Sequence, residues 1–263
     1  MRIAILGSGS RGNALVLDSG GRRVLIDAGF SCRELERRLR LVGVEPETLS
    51  AVVITHEHSD HLRGAARFVR RHGVPIYATD GTAGSEAFTR PFGADGRRAW
   101  RRLASGVPTE VCGFQVEPFA IPHDAAEPVG LVVEDDAGRR LGLAADLGSR
   151  SRLAWGRLTD LDFLVLETNH DLGMLRNGPY PWFLKQRVAG RHGHLSNRDA
   201  ADGVPELVCE RLRWVVLYHL SQTNNAPALA AEAVGEALDR EGSRARLAVT
   251  HQDRPTQWLE VGT

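Results

Sequence analysis

The stretch "THEHSDH", Thr55 to His61, places three histidines, a glutamate and an aspartate within seven residues. It closes the apolar run "AVVIT" (51–55), which reads as a buried strand, and it precedes Leu62, Ala65, Ala66 and Val69, whose spacing predicts a helix. The polar cluster therefore sits where a strand gives way to a helix. Residues i and i+2 of an extended chain point the same way, so His56 and His58 can grip one ion. Asp60 and His61 follow after a turn and can reach a second. Imidazole and carboxylate donors together suit Zn2+, and also Mn2+ or Fe. The cluster holds no cysteine, which argues against a structural zinc finger. The plainer alternative is a polar loop in which Asp60 caps the next helix.

The rest of the chain decides between these readings. Apolar runs end repeatedly in an imidazole or a carboxylate: "RVLI" in Asp27, "FAIP" in His123, "LGLAA" in Asp146, "FLVL" in Glu167 and "WVVLY" in His219. Strand ends at one edge of a sheet converge, and ligand sites lie there. A lone histidine of this kind would mean little. Several in one chain point to a shared site.

Strands are expected at 2–6, 13–18, 22–28, 51–55, 74–78, 114–121, 129–134, 140–145, 162–167, 214–218 and 246–250. Gly20-Gly21 marks a hairpin turn between the second and third. A helix is expected from Cys32 to the stop at Gly43, with Ser31 and Glu34 as a capping box and Leu35, Leu39 and Val42 on one face. Further helices are expected at 151–158, 180–190, 197–211 and 227–240. Strands crowd the first half and alternate with helices in the second. That order predicts an α/β (α+β) protein built as a four-layer αββα sandwich, one domain over residues 1–263, with the site between the sheets at one edge.

Composition excludes several classes. In 263 residues, 42% are hydrophobic and 25% charged, and formal net charge is zero, so bulk charge does not mark a polyanion binder. Lys185 is the only lysine among the 33 basic residues; base composition explains that as simply as phosphate binding does. Cys32, Cys112 and Cys209 form no CxxC and no disulfide framework. No run is long enough for a signal peptide or a membrane span, so a cytoplasmic location is expected. "GSGSRG" (7–12) matches GxGxxG after a strand, but a dinucleotide site needs a helix next. The alternating "NALVLD" that follows is a strand, so the segment reads as a turn whose N–H groups could help hold an anion at a site rim.

The motifs "GSGSRGNALVL", "LIDAGFSCRELERRL", "VVITHEHSDHLRG", "IPHDAAEPVG", "AADLG", "ETNHD", "GPYPWFLKQRV", "GHLSN" and "LYHLSQTNN" run in order over nearly the whole chain. HxHxDH is the signature of the metallo-β-lactamase fold, and the set resembles the YycJ (WalJ) group. It is similar, more distantly, to ribonuclease Z. The resemblance implies two divalent ions, zinc first. His56, His58 and His123 would hold one, Asp60, His61 and His219 the other, and Asp146 would bridge them. It implies a dinuclear hydrolase using a hydroxide between the ions: a phosphodiesterase, and a DNA exonuclease acting from 5′ ends. His194 in "GHLSN" would stand beside the substrate phosphate without binding metal, oriented by Glu167, with Ser196 and Asn197 as further substrate contacts. His194 would donate a proton or stabilise the oxyanion, and Asp60 would hold the nucleophile in line. Arg11 departs from the group, where serine is commoner, and does not touch the ligand set.

A nucleic acid, DNA or RNA, is the expected partner, with no membrane. "RRAWRR" (97–102) sets four arginines around Trp100 and could engage phosphates and stack a base; a solvated loop with one packed tryptophan is the alternative. Two other classes remain open: a hydrolase of small acyl substrates (lactonase, thioesterase or β-lactamase-like), and a non-catalytic metal-binding regulatory module.

Overall fold

The hairpin-forming start of the chain and its strand–helix remainder fold into two sheets. In the computed structural model, residues 1–261 are described, without the side chains of 94–97. β1 (Arg2–Gly7), β2 (Ala14–Ser19) and β3 (Arg22–Ile26) form an antiparallel meander, and β4 (Ala51–Val53), β5 (Ile76–Thr79) and β6 (Trp100–Leu103) continue it in parallel. In the second sheet, β7 (Thr109–Val111), β8 (Phe114–Ala120), β9 (Val129–Asp135) and β10 (Arg140–Ala144) pair antiparallel. β11 (Phe163–Glu167), β12 (Trp214–Tyr218) and β13 (Arg246–Val249) then follow β10 in parallel. β14 (Leu259–Glu260) returns to pair with β1. The orders are β14-β1-β2-β3-β4-β5-β6 and β13-β12-β11-β10-β9-β8-β7.

The helices are α1 (Cys32–Leu41), α2 (Ser59–Leu62), α3 (Ala65–His72), α4 (Asp80–Gly84), α5 (Glu86–Ala99), α6 (Arg152–Arg157), α7 (Leu172–Asn177), α8 (Trp182–Val188), α9 (Asn197–Gly203) and α10 (Pro227–Arg240). Three apolar clusters separate the layers. One lies between the sheets and joins Ile3, Leu17 and Val53 to Phe114, Leu131, Val165 and Tyr218. A second packs α1, α3 and α5 on the outer face of the first sheet. The third packs α6, α9 and α10 on the second. The layering is αββα, as the alternation of elements predicts. No helix among the described residues is long and apolar enough to cross a membrane.

Local chemistry accounts for most boundaries. Gly20 and Gly21 adopt φ of 60° and 82°, the double positive φ of a tight hairpin turn, between Ser19 and Arg22, which are paired. Ser31 caps α1 by accepting the N–H of Glu34 at 3.3 Å, but the reciprocal half of the capping box does not form. Glu34 pairs with Arg37 and Arg38 instead. The helix expected after the histidine cluster is broken into α2 and α3. Gly64 lies at the break; its N–H donates to the carbonyl of Ala28, and a Cβ there would strike the carbonyl of Phe30. The helix expected at 197–211 ends at Gly203 and gives way to a tighter turn at Val204–Leu207, because Pro205 cannot continue it.

The segment "RRAWRR" is corrected from a loop to the end of α5 plus the edge strand β6. Trp100 is partly buried and donates from Nε1 to the carbonyl of Ala78 at 3.1 Å. Arg102 pairs with Asp80 at 2.7 Å. The side chain of Arg97 lies outside the described residues. Exposed arginines on an outermost strand protect its open edge from pairing with another chain.

The topology sends the C-terminal ends of β3, β4, β8, β10, β11 and β12 to one edge. Asp27, His56, His123, Asp146, Glu167 and His219 follow or close those strands there.

Candidate metal centre

β4 delivers Thr55 and His56 from the sheet, and the single turn of α2 folds Asp60 and His61 back toward it. This turn is held against the loops after β1 and β3. Asn13 and Ala28 donate backbone N–H groups to the carbonyls of Asp60 and His61, both at 2.7 Å. Gly29 is required here by close approach, since a Cβ would run into the carbonyl of Asp60.

The donors of His56, His58, His123 and Asp146 all lie within 4.8 Å of one another, and so do those of Asp60, His61, Asp146 and His219. Asp146 belongs to both sets. Its Oδ2 is 3.5 Å from His56 Nε2, 3.4 Å from His61 Nε2 and 3.5 Å from His123 Nε2, and its Oδ1 is 3.2 Å from His219 Nδ1. His219 Nε2 meets Asp60 Oδ2 at 3.2 Å, and His58 Nδ1 meets His123 Nε2 at 3.2 Å. The structure therefore gathers seven side chains from four separate chain segments. These His/Asp sets are able to bind divalent metal.

Neighbouring groups aim the imidazoles by engaging the nitrogen each ring turns away from the centre. His61 Nδ1 bonds Asp27 Oδ2 at 2.7 Å. His58 Nε2 meets the carbonyl of Asp124 at 3.2 Å, and His123 Nδ1 that of Gly193 at 3.0 Å. Asp27 is itself pinned by the N–H and hydroxyl of Thr55 at 2.9 and 3.0 Å. The "GSGSRGN" loop enters by a route its motif did not suggest. Ser8 Oγ accepts the backbone N–H of His219 at 2.7 Å, and Asn13 Nδ2 donates to Asp60 Oδ2 at 3.2 Å.

The electrostatics are those of a cation site. Burial works against charge on Asp146, His219, His61 and His56. At Asp146 it is outweighed by His219 and His61, which hold the carboxyl well below its usual range. At His219 burial is overcome by Asp146, Asp60 and Glu167, which push it up to about 10. At His61 burial is overcome by Asp146, Asp27 and Asp60. His56 is pushed down to about 4, by burial first and His61 second. Neutral His56 Nε2 and Asp146 Oδ1 are buried and make no hydrogen bond. With only His219 Nδ1 at 3.2 Å from Oδ1 and Asp146 Oδ2 at 3.5 Å from His56 Nε2, and no formed hydrogen bond at either, these buried atoms are costly unless a cation takes their lone pairs. The residues present fit divalent metal.

His194 sits beside both sets. Its Nδ1 bonds Glu167 Oε1 at 2.7 Å, a contact the sequence suggests only through the family resemblance. Glu167 Oε1 also takes His219 Nδ1 at 3.0 Å, and Oε2 accepts the N–H groups of Leu147 and Leu195 at 2.7 and 3.0 Å. Burial opposes a proton on His194, but Glu167 outweighs it and raises the imidazole above its ordinary pKa. His194, Glu167, Asp146 and His219 also cluster within 4.8 Å. Both oxygens of Glu167 are already committed there, which leaves His194 Nε2 for the cleft.

Ser196 and Asn197 are not brought to the cleft. Ser196 is buried and caps α9 through the N–H of Asp199 at 3.1 Å. Asn197 is buried in a reciprocal amide pair with Asn225, at 2.8 and 2.9 Å. The cleft itself, about 220 Å³, is lined by Ser10, His58, Asp60, Asp146, Arg187 and His194, among others. A wider groove of 1160 Å³ at the opposite, N-terminal ends of β12 and β13 carries none of these donors.

Asp27→Asn is expected to weaken metal retention by about 10–100-fold, because it removes the carboxylate that fixes His61. Competition against graded chelators measures this. Retention equal to that of the parent protein would remove Asp27 from the positioning role.

An αββα sandwich with His and Asp donors gathered at one edge of its sheets defines the metallo-β-lactamase fold. A family model described as "Beta-lactamase superfamily domain" matches residues 22–220. The chain is 31% identical over 254 residues to exodeoxyribonuclease YycJ of Bacillus anthracis, covering 92% of this chain and 90% of the relative. It is 34% identical over 230 residues to exodeoxyribonuclease WalJ of Streptococcus pneumoniae, covering 87% and 85%. The crystal structure of the metallo-β-lactamase fold protein YhfI from Bacillus subtilis superposes with a TM-score of 0.74 at 16% identity, over 97% of this chain and 99% of that one. The chain belongs to the β-lactamase superfamily and, within it, to the family of the YycJ and WalJ proteins.

Proposed function

We propose that this chain is a metal-dependent phosphodiesterase that shortens nucleic acid from a strand end, with DNA cut from the 5′ end as the first choice. The observation that carries the reading is the pair of four-donor sets sharing Asp146, set beside an imidazole, His194, that belongs to neither. Relatives of nearly full length bearing the name exodeoxyribonuclease support it. One apolar core drawn from Met1 to Leu259 supports treating residues 1–263 as one domain.

We assign His56, His58, His123 and Asp146 to one ion and Asp60, His61, His219 and Asp146 to a second. Zinc is the first choice, and manganese or iron the alternatives. Such a pair supplies a nucleophilic water at neutral pH and positive charge for the pentavalent phosphorus. His194 then delivers the proton of Nε2 to the departing oxygen, while Glu167 keeps its hold on Nδ1 and stays ionised. Asp60 Oδ2, held by Asn13, faces His61 and His219 and would bind the ion with them, which leaves Oδ1 to orient the attacking water.

Metal-loaded protein should shorten 5′-phosphorylated single-stranded DNA and hydrolyse a small phosphodiester, while leaving a panel of lactones, thioesters and β-lactams intact. Elemental analysis of protein purified without chelator should give two ions per chain. Ester hydrolysis without phosphodiester cleavage would transfer the site to acyl chemistry. Neither activity in fully loaded protein would leave a metal-binding module.

A further inference from the structure

One wall of the cleft differs in charge from the rest of the chain. The 27 residues from Leu172 to Arg198 contain Arg176, Lys185, Arg187, Arg191 and Arg198 and no aspartate or glutamate, although the whole chain balances 33 basic against 33 acidic residues. This segment reaches the site directly: Leu184, Arg187, Val188, Gly193 and His194 line the cleft. Within it, α8 buries none of its side chains fully. Trp182 and Phe183, at its start, are 70% and 71% exposed. They are the only exposed tryptophan, phenylalanine or tyrosine side chains among the described residues, and they are adjacent.

Bare aromatic rings next to a functional cleft mark a contact surface. Phe183 and Arg187 are one helical turn apart and share a face of α8, and Arg187 lines the cleft. Asp124 engages Arg187 at 2.6 Å and steadies it there. Arg176 and Arg191 are exposed and make no ion pair among the described residues, which leaves both for an external anion. Two side chains are too small a patch for a stable protein partner, which covers about 800 Å² on each side. Unbalanced positive charge and open ring faces suit a flexible polyanion whose monomers have π faces of their own.

We infer that Trp182 and Phe183 form a stacking platform for unpaired bases of a single-stranded nucleic acid, with Arg176 and Arg191 against its phosphates, so that the strand is led across α8 to the cleft. This rests on the nuclease reading above. The platform selects single strands, because a base buried in a duplex does not offer its face.

The test compares a short 5′-phosphorylated single strand with a small aryl phosphodiester, which is too short to reach α8. In the Trp182→Ala/Phe183→Ala double variant, KM for the oligonucleotide should rise by about tenfold or more. The ratio of kcat/KM for oligonucleotide to that for the aryl diester should fall by the same factor. Trp182→Phe and Phe183→Tyr, which keep the rings, should restore most of it. The oligonucleotide should also quench tryptophan fluorescence in the parent protein by an amount that shrinks in Trp182→Phe. An unchanged KM in the double variant overturns the platform while the nuclease reading stands. The same result with a parent dimer that becomes monomeric assigns the rings to contact between copies. A parent protein that neither binds nor cuts the oligonucleotide overturns the nuclease reading and the platform together.

Discussion

His194→Ala should lower turnover on a phosphodiester by about 10²–10⁴-fold, the usual worth of a positioned proton donor, and leave metal content unchanged. The variant isolates one function because of how Glu167 is used. With His194 gone, Glu167 Oε1 still takes His219 Nδ1 at 3.0 Å, and Oε2 keeps its two backbone donors, so no buried carboxylate is orphaned. His194 lines the cleft, so the space its removal leaves joins the cleft and does not open a closed void in the core. Glu167 could not be tested so cleanly, since it serves two imidazoles at once. Steady-state kinetics and elemental analysis on the same preparation decide the matter. Full phosphodiesterase activity in His194→Ala would deny the imidazole its place in catalysis and favour acyl chemistry, where metal assistance alone can release the leaving group. Loss of an ion would instead make His194 a ligand, using the set it forms with Asp146, Glu167 and His219.

The parts of the site that sequence makes legible are those where an apolar run stops at a polar donor. His56, His123, Asp146 and His219 are of this kind, and the period of two adds His58. Strand ends must converge when the strands share an edge, so the placement follows from the run alone. Partners that act sideways are not legible in this way. Asp27 is visible as a strand-end carboxylate, but its bond to His61 depends on β3 lying beside β4. Asn13 and Ser8 reach the centre through a loop whose motif suggests an anion turn. Ser196 and Asn197 show the converse failure. Proximity to His194 in the chain makes them candidates, yet α9 begins there and consumes both side chains in a cap and an amide pair. β6 is hidden because an edge strand carries arginines where a central strand carries valine and isoleucine. Trp182 and Phe183 read as ordinary apolar positions of a short helix, and only their exposure sets them apart.

Asp146→Asn is expected to have the larger effect: neither ion retained at full stoichiometry, and phosphodiesterase activity reduced beyond the ~10⁴-fold upper end expected for a lost proton donor. The change is isosteric, so packing is kept and charge alone is removed. Asp146 is 1% exposed and lies between the two sets, within 3.5 Å of His56, His61, His123 and His219. Its carboxylate is the one anionic donor both sets share. Without it, His56, His58 and His123 would hold a divalent ion through neutral nitrogens only, and the other set would keep Asp60 as its sole carboxylate. The proton balance shifts as well. Asp146 is the largest source of the raised pKa at His61 and His219 once burial is set aside, so these imidazoles should lose protons more readily in the variant. That release removes competition for their lone pairs and so opposes metal loss, but it does not replace an anionic bridge. The rate falls further than for His194 because metal brings the pKa of bound water from 15.7 to about 7, and that source of nucleophile goes with the ions. Elemental analysis, and an activity titration with added Zn2+ and Mn2+, read both effects. Two tightly held ions in Asp146→Asn would separate the two sets and deny the aspartate its bridging place. Activity restored by excess metal would show that the asparagine oxygen suffices for geometry, and that the charge of Asp146 serves affinity alone.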